Sequence, residues 1–258
     1  TQVSGRGTAF GLHRAMDTAG AVIGILLAYW LVIYYHENYV TVFWLAVIPA
    51  AIGVGLLFFI TETGGGKTAK KISFAWSQLD CRLRFFLIVT FLFNLGNSSN
   101  QFLLVRAGAA GFSAEQVILL YLLMNVSYFV IAYPAGRLSD KIGRRGILVT
   151  GYALYGLVYL GFAMVQSTWQ MIGLFMVYGC YIGLTEGVEK ALLADVAPAD
   201  QRATIYGLHA MSVGLALLPA SVLAGVLWEF FGAAVPFWFG GLTGLLSAAA
   251  LWLGLRRP

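Results

Sequence analysis

Few residues in this chain of 258 are charged, and several of those that are lie inside long apolar runs. Asp17 is the first. At about 1.5 Å per helical residue it falls about 14 Å beyond Thr8, well inside its run. His13 and Asp17 stand four apart and Arg14 and Asp17 three apart, so each pair shares a helix face. Either Arg14 simply neutralises Asp17, or Asp17 lines a cavity and takes up a proton. Glu186, Glu189 and Lys190 form a second cluster near the end of another apolar run. The i, i+4 order of Glu186 and Lys190 predicts an internal ion pair. It leaves Glu189 without an obvious partner. That cluster serves either a cavity or gate, or snorkels in a structural role. A third set is uncharged: Asn94, Asn97, Ser98 and Gln101 recur at i, i+3, i+4 and i+7, which predicts one polar face on an apolar helix. Such a face turns toward a water-filled cavity or hydrogen-bonds to other helices. Asn125 and Tyr128 are weaker candidates of the same kind, and His209 is read as a gate or packing residue.

Enzymatic and metal chemistry have little support. The three histidines, His13, His36 and His209, show no i, i+4 pairing, and no GxSxG nucleophile pattern occurs. Cys81 and Cys180 give no CxxC spacing, so no zinc, haem or disulfide framework is expected. Cys180 reads as a buried inert thiol. Gly66-Lys67-Thr68 ends like a phosphate-binding loop, but Thr61 stands where that loop needs glycine and no strand precedes it. The expectation is a protein that is not an enzyme and holds no cofactor. The net charge of +5 sits in short loops rather than in a stripe, so no nucleic-acid partner is expected either.

The elements that position these residues follow from composition. The chain is 60% hydrophobic and 10% charged, against roughly 25% charged in soluble domains. A helix needs about 20 apolar residues to cross a bilayer. Runs of that length fall near 9–34, 41–60, 83–105, 115–135, 146–165, 169–191, 204–228 and 235–255, predicting an all-α, multi-pass protein of eight spans with the lipid bilayer as its surroundings. The connections alternate in charge. One set holds Arg6 and Arg14, then Lys67, Lys70, Lys71, Arg82 and Arg84, then Arg137, Lys141, Arg144 and Arg145, then Lys190 and Arg202, then Arg256 and Arg257. The opposite set holds Arg106 alone of the 16 Lys and Arg. Positive charge marks the cytoplasmic side, so both ends are expected in the cytoplasm, with the protein in the cell membrane.

Residues 61–82 read as a cytoplasmic linker ending in an amphipathic stretch, Ile72-Ser-Phe-Ala-Trp, suited to the membrane surface. An internal repeat flanks it. Arg6-Gly-Thr-Ala-Phe-Gly-Leu-His and Arg202-Ala-Thr-Ile-Tyr-Gly-Leu-His share R-x-T-x-aromatic-G-L-H, and each opens an apolar run followed by one more. Phe43-Trp44 echoes Phe237-Trp238 in the same way. Parallel repeats of this sort build carriers from two similar halves, and this period leaves roughly 110 residues and four helices expected upstream. Residues 1–60 are then the last two helices of one bundle and 83–258 a six-helix second bundle. Gly20 and Gly24 form a GxxxG, which predicts close helix packing there.

Between the fourth and fifth runs lies Gly136-Arg-Leu-Ser-Asp140-Lys-Ile-Gly143-Arg144-Arg145. This resembles the cytoplasmic signature of the major facilitator superfamily, G-x-L-x-D-[RK]-x-G-R-[RK], at every position. The glycines permit a tight turn and close approach. The resemblance covers the whole chain, as helices five to twelve of a twelve-helix member. It implies that Asp140 faces the start of the helix opening at Arg6-Gly-Thr, where a carboxylate is favoured by the helix dipole. It implies a charge relay from Arg144 to Asp195, with these contacts closing the cytoplasmic side. It implies that the Asn94 helix lines a substrate path. The longer Gly/Pro-rich pattern of the family's antiporters has proline after the second glycine, where this chain has Ile25. The expected activity is secondary active transport of a small molecule by alternating access, proton-coupled through Asp17 or Glu186. The alternative is a non-transporting membrane protein or fragment with a structural role, partnered by the missing N-terminal helices or a second copy.

Overall fold

The computed structural model describes residues 5–36, 38–59, 79–198 and 201–254. Most of the linker, with Gly66-Lys67-Thr68 and Ile72-Ser-Phe-Ala-Trp, and the final Arg256-Arg257 lie outside the described residues. Among the described residues nine helices follow in order: α1 (Arg6–Tyr34), α2 (Tyr39–Leu57), α3 (Cys81–Gly96), α4 (Gln101–Ala109), α5 (Ala114–Ile142), α6 (Arg144–Met164), α7 (Thr168–Val196), α8 (Arg202–Phe231) and α9 (Val235–Gly254). The described residues contain no strand. Seven of the helices are long and apolar enough to cross a membrane; α3 and α4 are not. The two copies of the repeat open α1 and α8 at the same residue, Arg6 and Arg202.

The expected single span over 83–105 is corrected to two shorter helices. The chain leaves helical geometry at Asn97 and resumes at Gln101. Asn and Ser side chains compete for backbone partners, and Asn97-Ser-Ser-Asn100 places four of them in a row. Such a break survives at membrane depth only when protein covers the freed groups. Here the Tyr155 hydroxyl donates to the Gly96 carbonyl at 2.9 Å, and the Ser99 amide donates to Ser221 Oγ at 3.4 Å. The motif, placed between two apolar runs, is itself mostly helical: Gly136 to Ile142 complete the last turns of α5, and Gly143 alone makes the tight turn into α6. Gly143 has φ +97°, a conformation costly for any residue with a Cβ.

Packing rests on small residues. Helix α1 lies against α5 and α7, α6 against α9 and α7, and α3 against α9 and α8. A Cβ at Gly136 would strike the Gly7 carbonyl, and one at Gly7 or Gly11 would strike the α5 backbone at Gly136 or Ala132. The GxxxG predicted for close packing is the wrong one. Gly20 and Gly24 face open space, while Gly7 and Gly11 make the contact. The aromatic core runs through α6 and α7, with Tyr152, Tyr155, Tyr159, Phe175 and Tyr178 almost wholly buried. The outside is apolar: Phe43, Trp44, Trp169 and Leu218 are all more than two-thirds exposed, as a lipid-facing surface requires and a water-facing one would not tolerate.

Gly136→Val should therefore force α1 and α5 apart, costing about 2–3 kcal/mol as overpacking does. Gly20→Ala should be neutral. Thermal unfolding of the two variants in detergent micelles checks both.

Candidate functional site

Helix α1 begins at Arg6 with no side chain of its own capping it: Gly5 precedes it, and its first turn holds no acidic residue. Its free N–H groups need acceptors. Asp140, in the last turn of α5, supplies them. The Gly7 amide donates to Oδ1 at 3.0 Å, the Thr8 amide to Oδ2 at 2.7 Å, and the Thr8 hydroxyl to Oδ2 at 2.6 Å. The close glycine contact between α1 and α5 permits this reach.

The same carboxylate holds Arg144, the first residue of α6, with Nη1 at 2.6 Å from Oδ1. Arg144 Nη1 also donates to Ser139 Oγ, and its Nε lies 3.1 Å from Oδ2 of Asp195 in the last turn of α7. Arg6 closes the ring. Its Nη1 is 2.9 Å from Asp195 Oδ1 and 2.6 Å from the Ala194 carbonyl oxygen. Two arginines and two aspartates thus tie together the ends of α1, α5, α6 and α7. Asp140 and Arg144 are nearly buried, at 8% and 10% side-chain exposure. A pair held that far from water is screened little, and losing one partner strands the other. Arg145 stands apart from this ring: it donates to the Trp252 carbonyl on α9.

Two turns further along α1 the second cluster begins. Arg14 Nη2 lies 2.5 Å from Glu186 Oε1, and its Nη1 lies 3.0 Å from Asp17 Oδ2. Glu186 also accepts the Tyr128 hydroxyl of α5. The ion pair of Glu186 is therefore made with Arg14 across helices. This corrects the expected pairing with Lys190 four residues on. Glu189, for which the spacing offered no partner, accepts the Tyr152 hydroxyl of α6 at 2.9 Å and sits 3.5 Å from His209 Nε2 of α8. Asp17, though paired with Arg14, is 61% exposed. His13 is exposed as well.

Between α3, α7 and α8 lies a cavity of about 530 Å³, bordered by Asn94, Asn97, Glu186, Glu189, Lys190 and His209 among others. The predicted polar face is only partly realised. Asn94 and Asn97 border the cavity, Asn94 donating to the Thr90 carbonyl and Asn97 to the Tyr181 hydroxyl. Ser98 is buried at the helix break, and Gln101, beyond it, is exposed and away from the cavity. The i, i+7 register does not survive the interruption. Asn125 is buried and bonded within its own helix.

Sequence reasoning missed Tyr152 and Asn100. Asn100 borders the cavity and accepts the Tyr178 hydroxyl at 2.7 Å. A signal for the tyrosines was present: Tyr152, Tyr155 and Tyr159 recur at helical spacing on one run and Tyr178 and Tyr181 on the next, marking two hydroxyl-bearing faces that must meet. The described residues show no cluster of His, Cys, Asp and Glu able to hold a metal ion.

Comparison with known proteins agrees with this architecture. A family model for the Major Facilitator Superfamily matches residues 86–258. An uncharacterized MFS-type transporter of Methanocaldococcus jannaschii is 34% identical over 253 residues, which is 95% of this chain and 63% of that protein. An uncharacterized protein of Mycobacterium bovis is 22% identical over 241 residues, covering 88% of this chain and 58% of its own length. The class B tetracycline resistance protein of Escherichia coli is 29% identical over 141 residues, 55% of this chain and 34% of that protein. The chain thus spans less than two-thirds of each of these relatives. A multi-pass helical bundle, the signature from Gly136 to Arg145 and a family match over most of the chain converge on one statement: this protein belongs to the Major Facilitator Superfamily.

Proposed function

We propose that the chain acts in secondary active transport, carrying a small molecule across the cell membrane by alternating access with protons as the coupling ion. In this reading α1 and α2, within residues 1–60, belong to one bundle and residues 83–258 form the other, with 61–82 joining them and both ends in the cytoplasm. The observation that carries it is the Asp140 carboxylate, supplied by one bundle, capping α1 of the other. That contact and the ring of Arg6, Arg144 and Asp195 lie one to two helical turns from the polar cavity. Intact, they hold the cytoplasmic ends together; broken, they free the bundles to rock about a central site. The position of Glu186 between Arg14 and Tyr128 fits a carboxylate that ties α1 and α5 to α7 beside that site. The exposure of Asp17 makes it the weaker of the two carboxylates first considered for the proton.

A second reading, a non-transporting membrane protein with a structural role, is favoured by one observation: α2 touches α1 but fully buries none of its residues, so most of its surface is free to meet other helices. The two readings separate in liposomes containing the purified full chain and an imposed pH gradient. Tetracycline is the first probe, because the class B relative is named for resistance to it. Transport predicts accumulation several-fold above protein-free liposomes, abolished by collapsing the gradient. Absence of gradient-driven movement across a broad panel of small molecules would favour the structural role.

Asp140→Asn should loosen the start of α1 whatever the cargo. Removing one partner of a buried ion pair costs about 3 kcal/mol or more. Amide hydrogen exchange at Gly7 and Thr8 should then quicken by about two orders of magnitude, while amides at mid-α9 hold their wild-type rates.

A further inference from the structure

The three carboxylates in and beside the cavity are held differently, and the difference is chemical. Asp17 and Glu186 each face the guanidinium of Arg14, at 3.0 and 2.5 Å. A guanidinium stays charged at any physiological pH, so both have a fixed counter-ion in contact. Glu189 has no such partner in contact. Its two oxygens meet a phenol, Tyr152, and an imidazole, His209. Both side chains of the Glu189–His209 pair are nearly buried, at 15% and 12% exposure, yet both border the cavity. The 3.5 Å separation of Nε2 from Oε2 is an ion-pair distance, but Nε2 has no hydrogen-bond partner and is shut off from solvent. An unpartnered buried nitrogen aimed at a carboxylate is unfavourable as it stands. With both ring nitrogens protonated, Nε2 is a charged donor whichever tautomer came before, and it can close a charge-assisted bond to Oε2 that a neutral imidazole makes only weakly.

The other face of the imidazole is prepared for the same charge. Phe86 of α3 lies parallel to it, with ring centroids 6.1 Å apart and planes 6° apart. An imidazolium over an aromatic face at that distance is favoured as a cation–π contact. We propose that Glu189 and His209 together form a proton-binding site facing the cavity, taking one proton per cycle of the pair between a net charge of −1 and zero.

The surroundings are consistent with a single titrating unit. From α7 itself, Glu186 and Lys190 face the pair with opposite signs, and Tyr181 lies within Coulombic reach. From α6 comes Tyr152, from α5 Tyr128, and from α1 Arg14, the last two acting through Glu186. On α3, Arg82 and Arg84 precede Phe86 by one turn or less. The guanidinium on Glu186 leaves Lys190 and the Glu189–His209 pair as the groups without a fixed counter-ion in contact. The role of this proton as the coupling ion rests on the transport reading above; its binding does not.

Imidazole nitrogen resonances of the full chain, labelled at its three histidines and held in lipid nanodiscs, test the site without any substrate. His209→Gln assigns the third signal. The protonation midpoint of His209 should move by about one pH unit or more in Glu189→Gln, as loss of an adjacent charge requires. It should stay near the wild-type position in Glu189→Asp, which keeps the charge, and in Glu186→Gln. A His209 titration that is the same in wild type and Glu189→Gln would overturn the proposal. So would an equal response to Glu186→Gln. Should Glu189→Gln not fold, a wild-type His209 signal that never becomes protonated across the folded pH range overturns the proposal, and one that does become protonated, with its midpoint held in Glu189→Asp, supports it. Failure of vesicle uptake bears only on transport, so the two conclusions stand or fall separately.

Discussion

One carboxylate holds the ends of four helices together. A helix as long as α1 starts with several N–H groups that need acceptors, and it carries a partial positive charge there. Its own sequence offers glycine before Arg6 and no acid in the first turn. Asp140 answers from a different helix, and every other contact in the ring depends on where that leaves its oxygens. Oδ2 is taken by Thr8 and Oδ1 is shared between Gly7 and Arg144. Arg144 is thereby fixed with its Nε toward Asp195, and Asp195 in turn holds Arg6. The glycines of α1 and α5 are part of the same constraint, because a methyl group at Gly7 or Gly136 would hold the helix start beyond the carboxylate's reach.

The cavity inherits its arrangement from this contact. Once α1 is seated on α5 and α7, Arg14 stands two turns in and meets Glu186. That leaves Glu189 to the neighbours on the far side of α7, Tyr152 and His209. Two glutamates three residues apart on one helix thus face different partners, one permanently charged and one titratable. Burial alone does not distinguish them; the chemistry of what lies opposite does.

The helices were legible in the sequence where hydropathy alone decides, as in α5 to α9, because lipid demands an unbroken apolar run. The failure over 83–105 has a physical cause. A periodic count of polar positions treats Asn97 to Asn100 as part of one face, while the backbone treats four adjacent amide and hydroxyl side chains as competitors for its own hydrogen bonds. Glu186 was misassigned for a related reason. The i, i+4 rule knows only neighbours on the same helix, and a guanidinium arriving from α1 outweighs Lys190. The small-residue pattern at Gly20 and Gly24 was legible as a pattern, but it carries no information about which neighbour will come. The approach of Asp140 to the Arg6-Gly-Thr start came from family resemblance; no spacing in the chain gives it.

The interruption between α3 and α4 has an electrical meaning of its own. A continuous span keeps its two poles at the membrane surfaces, where water screens them. Splitting it brings a carbonyl pole and an amide pole inward, each worth roughly half an elementary charge. Tyr155 caps the first, at Gly96, and Asn97 and Asn100 stand between the two beside the cavity. That wall therefore carries a permanent local field, built from peptide dipoles and insensitive to pH, against which any change in side-chain charge is felt.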